Sequence, residues 1–426
     1  MESRRALDPG PAARPTSAAV RARPARRLRI GVDATSLASG RGYGRFAREI
    51  LPPLLASEGD HEYVLFVDAW SAEEADLPGL LSRVPSARVT TVLLEASESQ
   101  ARAASARGSR SPLDLLRMGR AVAGLDLQVV WFPTVYSYFP VPSRVPVVVA
   151  FHDVIPERYG AVVFPTRRTR WLWRAKTALA RRQARLVLTV SDWSRRALHE
   201  TLGIPLEKIR VTSEAPSAAF RPPDPRDAAA CRSAWLAGRG IPGDAPYFVY
   251  VGGFNPHKNL ERLVRALAGL AGAAAPHLLL VGDHERDVFH IDVEGLRRAS
   301  AAAGLAGRVH FTGFVPDEAL VPLLAGARAL VLPSLEEGFG LPAVEAAAVG
   351  APCIATRRSP LPELLEGGGL FVEPTDETAL GGAMARLLDD DALRARLAAR
   401  ARERAAALTW EAAAARAHDA LLEAAR

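Results

Sequence analysis

The feature that most constrains this chain is a repeated one: a short unbroken apolar run, a turn, and then a stretch whose apolar residues have helical spacing. The runs fall at 28–32, 63–67, 129–132, 145–151, 186–190, 247–251, 278–281, 309–311 and 329–332. Strands without polar alternation are buried on both faces, and strands alternating with helices build parallel sheets covered on both sides. In such sheets ligands sit beyond the carboxyl ends of the strands. A chain of 426 residues is too long for one ordinary core. A proline-rich stretch with Asp, Ala and Gly, between Pro216 and Pro246, offers the break. The expected organisation is a disordered basic tail over 1–27, a Rossmann-like α/β domain over 28–216, a linker over 217–245 and a second Rossmann-like α/β domain over 246–408. An amphipathic helix over 409–426 is expected to pack back toward the first domain. The two parallel sheets would face each other across a cleft.

Composition narrows the class. Cys231 and Cys353 have no metal-binding spacing, which speaks against a disulfide framework or a zinc site and fits a reducing, cytoplasmic setting. No apolar run reaches the ~20 residues that span a bilayer. The Arg-, Ala- and Pro-rich start is followed by no apolar segment of the kind that directs export. The net charge of +7 is uneven: residues 1–220 hold 32 Lys+Arg against 21 Asp+Glu, and residues 221–426 hold 22 against 26. The window from Arg158 to Arg185 has nine basic residues, no acidic one, and both Trp171 and Trp173. Such a face suits an anionic acceptor or an anionic membrane surface, with the protein peripheral at the inner face; a solvated basic helix accounts for the same residues. No groove-reading motif accompanies the charge, so nucleic acid is not expected.

Four segments carry chemistry. In the first, a strand runs into Pro333 and Ser334, and Glu337, Gly338, Phe339, Gly340, Leu341, Pro342 and Glu345 follow. The glycines let the backbone approach a ligand closely. Pro342 suits the first turn of a helix, where a missing N–H costs nothing. Unpaired N–H groups and the positive end of the helix dipole suit a phosphate there. Glu337, before the turn, and Glu345, one turn into the helix, can point into one cleft, one at a sugar and one at a ribose. Solvation of Glu337 and dipole compensation by Glu345 explain the carboxylates alone, but not the glycines and the proline.

In the second segment a strand ends at Gly252 and Gly253, and a helix is expected from Asn255 and Pro256, with Leu260, Leu263, Val264, Leu267 and Leu270 as its apolar stripe. His257 and Lys258 would then lie in the first turn, where a cation opposes the dipole. A bound diphosphate removes that conflict; so, at small cost, does a Lys258 pointing to water. In the third, His152 and Asp153 end a buried strand and stand at the cleft, as a functional pair or as one that orders its own loop. The fourth, Ser39 to Arg45, is a glycine-rich loop before a helix that lacks the spacing of a dinucleotide fingerprint. Ser191, Asp192, Trp193 and Ser194 read as a structural helix cap, and so do Asp389, Asp390 and Asp391.

These residues, in this order, resemble glycosyltransferase family four, retaining enzymes of the GT-B architecture. The likeness runs through Gly42, Tyr43 and Gly44; His152 and Asp153; Ser191 to Ser194; Val251 and Gly252 with Pro256, Lys258 and Asn259; Phe311, Gly313 and Phe314; and Pro333, Ser334, Glu337 and Glu345. It covers about 28–426, and the two carboxylates around Gly-Phe-Gly-Leu-Pro are its most specific element. Within the family, His152 to Pro156 and Gly252 to Lys258 look most like bacterial polysaccharide and lipopolysaccharide mannosyltransferases.

The resemblance implies a GT-B fold, α/β with two Rossmann-like domains, the first for the acceptor and the second for a nucleotide sugar. It implies donor binding at Gly42, Gly253, Lys258, Gly313, Phe314, Glu337, Gly338, Phe339, Gly340, Leu341 and Glu345, and catalysis by His152, Glu337 and Lys258. Lys258 would contact the diphosphate and Glu345 the ribose. Glu337 and the backbone of Phe339, Gly340 and Leu341 would hold sugar and phosphate, His152 would approach the sugar, and Gly313, Phe314 and Val315 would face the base. Many members carry an arginine where this chain has Gly253, so the diphosphate would rest on Lys258, with His257 or Arg45 as substitutes. The implied reaction moves a hexose, mannose from GDP-mannose or a sugar from a UDP-sugar, to a glycan or lipid-linked glycan, without a cofactor or a metal. A sugar-nucleotide hydrolase or epimerase of the same fold, and a member that binds without catalysis, are the alternatives. Intact Glu337, Glu345, Lys258 and His152 speak against the last, and the basic first half speaks for an acceptor.

Overall fold

The computed structural model describes residues 27–82, 84, 88–95, 111–164, 166–270, 275–283 and 293–426, and the structural statements below concern these. The expected tail falls outside them except for Arg27. Seven strands form the first sheet: β1 Arg29–Asp33, β2 Glu62–Asp68, β3 Val89–Leu94, β4 Val129–Phe132, β5 Val147–Ala150, β6 Ala184–Thr189 and β7 Ile209–Val211. Six form the second: β8 Tyr247–Val251, β9 His277–Val281, β10 Val309–Gly313, β11 Leu330–Leu332, β12 Cys353–Thr356 and β13 Gly369–Val372. The orders are β3-β2-β1-β4-β5-β6-β7 and β10-β9-β8-β11-β12-β13. Every pairing is parallel. Each half is thus doubly wound, with its strand order reversing beside β1 and β4 or beside β8 and β11. Loops leaving the carboxyl ends at such a reversal diverge and open a crevice.

The helices that matter for the site are α1 Gly42–Leu55, α2 Arg167–Gln183, α3 Asp192–Leu202, α4 Pro225–Ala237, α5 Leu260–Ala268, α6 Asp317–Gly326, α7 Leu341–Ala348 and α8 Trp410–Ala425. The unbroken apolar runs are strands for the reason the sequence suggests: Val147, Val148 and Val149 are fully buried, as are Phe248, Val249 and Tyr250. Four strands escaped that reading. β3 is an edge strand that exposes Thr90, Thr91 and Leu93 and so carries no continuous apolar signal. β7 and β13 are only partly buried, and β12 reads Cys, Ile, Ala, Thr, so none of them stands out as an apolar run.

The stretch 217–245, expected as a linker, holds a helix. The prolines there precede α4 rather than interrupt it: Pro225 takes the first turn, and the Asp224 carboxylate accepts from the N–H groups of Arg226 and Asp227. Leu236 is fully buried, and α4 packs on α6 of the second domain. The last helix, α8, crosses back to the first domain. Trp410 meets Phe46 at 5.9 Å between ring centroids, His418 Nδ1 lies 3.0 Å from the Tyr63 hydroxyl, and Arg210 pairs with Glu423 at 2.5 Å. No described helix is long and apolar enough to cross a membrane.

Candidate active site between the two domains

Lys258 and Glu337 leave neighbouring strands, β8 and β11, and meet at the strand-order reversal of the second sheet. Lys258 Nζ lies 2.7 Å from Glu337 Oε1, and the Ser334 hydroxyl donates to the same oxygen at 2.5 Å. The expected helix start differs. Pro256–Lys258 is a single 3-10 turn, Asn259 adopts a left-handed φ of 59°, and α5 begins only at Leu260. The Asn259 amide holds that conformation by donating to the carbonyls of Pro333 at 2.9 Å and Pro374 at 2.8 Å. Lys258 therefore precedes the helix, and its charge is met by Glu337 rather than opposed by a dipole. His257 is not a substitute cation. Its ring is buried with Nδ1 unpartnered, and burial, then the charge of Lys258, hold its pKa well below the usual histidine range.

Beyond Glu337 the chain turns tightly. Gly340 has a φ of 89° and caps α7, with Pro342 in the first turn. Gly338 is required for a different reason: a Cβ there would stand 2.6 Å from the His152 carbonyl oxygen and 2.9 Å from Asp153 Cβ. The first domain comes that close because Ser191 and Ser194 hold the loop. The Ser191 hydroxyl donates to the Gly338 carbonyl at 2.7 Å, and Ser194 Oγ lies 3.0 Å from the same oxygen and 2.8 Å from the His152 carbonyl. Ser191 does cap α3, accepting from the Ser194 N–H at 3.0 Å, but this segment also joins the domains. Glu336, buried in the same loop, takes Arg158 at 2.6 Å and Trp193 Nε1 at 3.4 Å.

Glu345 is the fifth residue of α7 and is 2% exposed. Its Oε1 accepts from Arg45 Nη1 at 2.7 Å. The other guanidinium nitrogen of Arg45 donates to Asp317, at the start of α6. Burial pushes the Glu345 carboxyl up to about 8, and Arg45 offsets only part of that rise. Arg45 is thus spoken for by two carboxylates of the other domain. Neither the sequence pattern nor the resemblance placed Asp317 here. A cation in the first turn of α1, where it opposes the dipole, was the available signal.

His152 was expected to approach the sugar near the reacting carbon. Its ring nitrogens have partners in its own domain: Nε2 donates to the Pro133 carbonyl at 2.9 Å, and Nδ1 lies 3.5 Å from Glu214. Burial works against charge on the ring, but the Glu214 carboxylate and the Pro133 carbonyl outweigh it and raise the pKa. What His152 presents at the junction with Gly338 is its backbone carbonyl. Glu214, near the end of the first domain, was not anticipated. Of the remaining candidates, Phe339 and Leu341 are buried in the turn, and the Gly253 carbonyl accepts from the Tyr250 hydroxyl. Gly313 ends β10 with a φ of 70°, and Phe314 stands 75% exposed beside it. Gly42 opens α1 and is exposed. Among the described residues, no three His, Cys, Asp or Glu side chains converge as a metal-binding group.

Known proteins share this two-domain fold. The family model for glycosyltransferase family 4 matches residues 42–214, and that for glycosyl transferases group 1 matches residues 232–404. The O-antigen chain mannosyltransferase B of Escherichia coli is 34% identical over 233 residues, which are 54% of this chain and 58% of that relative. The chain thus matches little more than half the length of that relative. Sucrose-phosphate synthase from Thermosynechococcus elongatus superposes with a TM-score of 0.68 at 22% identity, over 92% of this chain and 98% of that one. Anabaena HepE, solved with UDP and glucose, superposes with a TM-score of 0.68 at 21% identity, over 92% and 99%. With one family model on each doubly wound half and the same two-domain architecture throughout, the chain belongs to glycosyltransferase family four, of the GT-B fold.

Proposed function

We propose that the protein is a retaining hexosyltransferase that takes its sugar from a nucleotide diphosphate and passes it to a glycan or lipid-linked glycan. The observation that carries this reading is the Lys258 ammonium, 2.7 Å from Glu337, whose segment leads into the N-terminus of α7, at the strand-order reversal of the second sheet. A helix start and a lysine converge where a leaving diphosphate gains negative charge. Charge placed in advance where it develops is the strongest single means of lowering such a barrier. Glu337 would orient the sugar hydroxyls and Glu345 the ribose. Attack from the face the diphosphate leaves, with that phosphate accepting the acceptor's proton, keeps the anomeric configuration. Because Lys258 and α7 supply the counter-charge, the reaction proposed here uses no metal. Mannose is the favoured sugar, through the likeness to the O-antigen mannosyltransferase, and GDP-mannose its carrier; a UDP-sugar is the other candidate.

The acceptor would meet the first domain. On α2, Trp171 is 66% exposed, and Leu172 and Leu179 are exposed among Arg167, Arg168, Arg174, Arg181 and Arg182. At the far end of α2 a cavity of about 420 Å³ is lined by Arg181, Arg182 and Lys208, with no carboxylate. A face of this kind fits an anionic membrane carrying a lipid-linked acceptor, with the protein cytoplasmic and peripheral.

The reading is tested by a thermal-shift screen against GDP, UDP and ADP, since a nucleotide that binds only the native state raises its melting temperature. Transfer assays with the matching nucleotide sugar follow, with chelator present and the product's anomeric configuration read by NMR. Transfer with retention in chelator is the expected result. Strict dependence on added manganese contradicts the metal-free reaction, and turnover without any acceptor points to a hydrolase.

A further inference from the structure

Arg45 stands in the first turn of α1 with no acidic residue beside it in that turn, a place where a cation is locally unfavourable. Its hydrogen-bonded partners come from 272 and 300 residues away, Asp317 and Glu345 of the other domain, and Glu49, one turn on in α1, adds a smaller attraction. Phe220, in the crossover between the domains, lies under the guanidinium at 5.3 Å from its centroid. The bond to Glu345 uses one oxygen only. Among the described residues Oε1 accepts from Arg45, and Oε2 has no hydrogen-bond partner. A carboxylate this deeply buried is costly unless paired and hydrogen-bonded, and half of its acceptor capacity stands unused.

We propose that Arg45 is a positioning residue for ribose recognition: it fixes the Glu345 carboxylate through Oε1, leaves Oε2 for a ribose hydroxyl, and so makes nucleotide binding depend on the docking of the two domains. The inference rests on Glu345 as the ribose ligand. Its physical content is linkage: a contact made only in the docked arrangement lets nucleotide favour docking and docking favour nucleotide by the same factor. Without Arg45 nothing holds Oε1, and the carboxyl group is free to turn Oε2 away from the ribose.

The test is calorimetric titration of the full chain with GDP and UDP and with the 2′,3′-dideoxy form of each, which lacks both ribose hydroxyls. Arg45→Ala is expected to lose about tenfold or more in affinity for the ribonucleotide, the scale of one hydrogen bond to a charged group, while affinity for the dideoxy form barely changes. Arg45→Lys, which keeps the charge with a different reach, should recover part of the discrimination, and Asp317→Asn should lose part of it. An equal loss for ribo and dideoxy forms would reduce Arg45 to a structural contact. Tighter ribonucleotide binding by Arg45→Ala would make it an occluding residue and overturn the proposal. Glu345→Gln separates the two readings. If it leaves ribo/dideoxy discrimination intact, the ribose assignment of Glu345 falls and the inference with it; if it abolishes discrimination while Arg45→Ala does not, only the inference falls. Failure of wild type to bind either nucleotide overturns both.

Discussion

Glu337 and Glu345 belong to one short segment, are both nearly buried, and each faces a cation, yet the two pairs are built differently. Glu337 is paired by Lys258 of its own domain and by Ser334 three residues earlier, at 2.7 and 2.5 Å. Glu345 is paired by Arg45, which arrives from α1 of the other domain. The first pair exists as soon as the second domain folds, because β8 and β11 are adjacent strands of one sheet. The second exists only when the domains dock. Between them lies Gly338, held by Ser191 and Ser194 and too close to His152 and Asp153 to carry a side chain. One end of the Glu337–Glu345 segment is therefore intrinsic to its domain and the other is conditional on its neighbour.

Substitutions can break or sharpen the contrast. The largest effect is expected from Lys258→Ala, which removes the intrinsic cation: transfer should fall by at least about two decades, the scale of losing one preorganised stabiliser of developing charge. Near-normal turnover in a steady-state assay would remove Lys258 from the diphosphate. Gly338→Ala acts on docking instead. Its methyl group would meet backbone, not a flexible side chain, so roughly 1–3 kcal/mol of strain is expected. The strain is relieved if the domains separate, so melting should change little while transfer falls and small-angle scattering reports a more open molecule. A compact, fully active variant would show that the loop can shift.

Ser191→Ala removes a helix cap and a bond across the interface together, about 1 kcal/mol on either account. Denaturant titration should register that loss, and Lys258-dependent nucleotide binding should survive it, because the intrinsic pair is untouched. The smallest effect is a control in the second domain, far from the interface. His277 Nδ1 and His310 Nε2 lie 2.9 Å apart at the start of β9 and within β10. Burial, then the neighbouring ring, push the His310 pKa down to about 4. An unfolded histidine titrates near 6.5, so the unfolded chain gains protons that the folded one refuses as pH falls from about 6.5 toward 4. Stability is full above that window and declines within it. The melting temperature should drop more between pH 7.5 and 5.5 for wild type than for His310→Gln; equal drops would assign the acid sensitivity elsewhere.

Much of this was legible in the sequence. Two doubly wound halves follow from apolar runs alternating with helical patterns, because a strand buried on both faces cannot hide its composition. The turn at Gly340 and Pro342 follows from backbone geometry that only such residues satisfy at low cost. Lys258 was found by its apparent conflict with a helix dipole, although the structure moves it ahead of the helix and resolves the conflict with Glu337. The same reasoning applied to Arg45 would have pointed to a distant carboxylate. It could not have said which one, since Glu345 and Asp317 lie in different helices of another domain.

The sequence by itself determined the fold class, the glycine- and proline-bearing turn between Glu337 and Glu345 and the kind of residue each position holds, since those depend on local propensity and on periodicities of two to four residues. Only the tertiary structure decided the pairings: Lys258 with Glu337, Arg45 with Glu345 and Asp317, Ser191 with Gly338, and the His152 ring with Pro133 and Glu214. These are contacts between residues up to 300 positions apart. The physical reason is that a buried charge accepts whichever partner the packing of whole domains brings within about 3 Å, and nothing in a local pattern of residues encodes that distance.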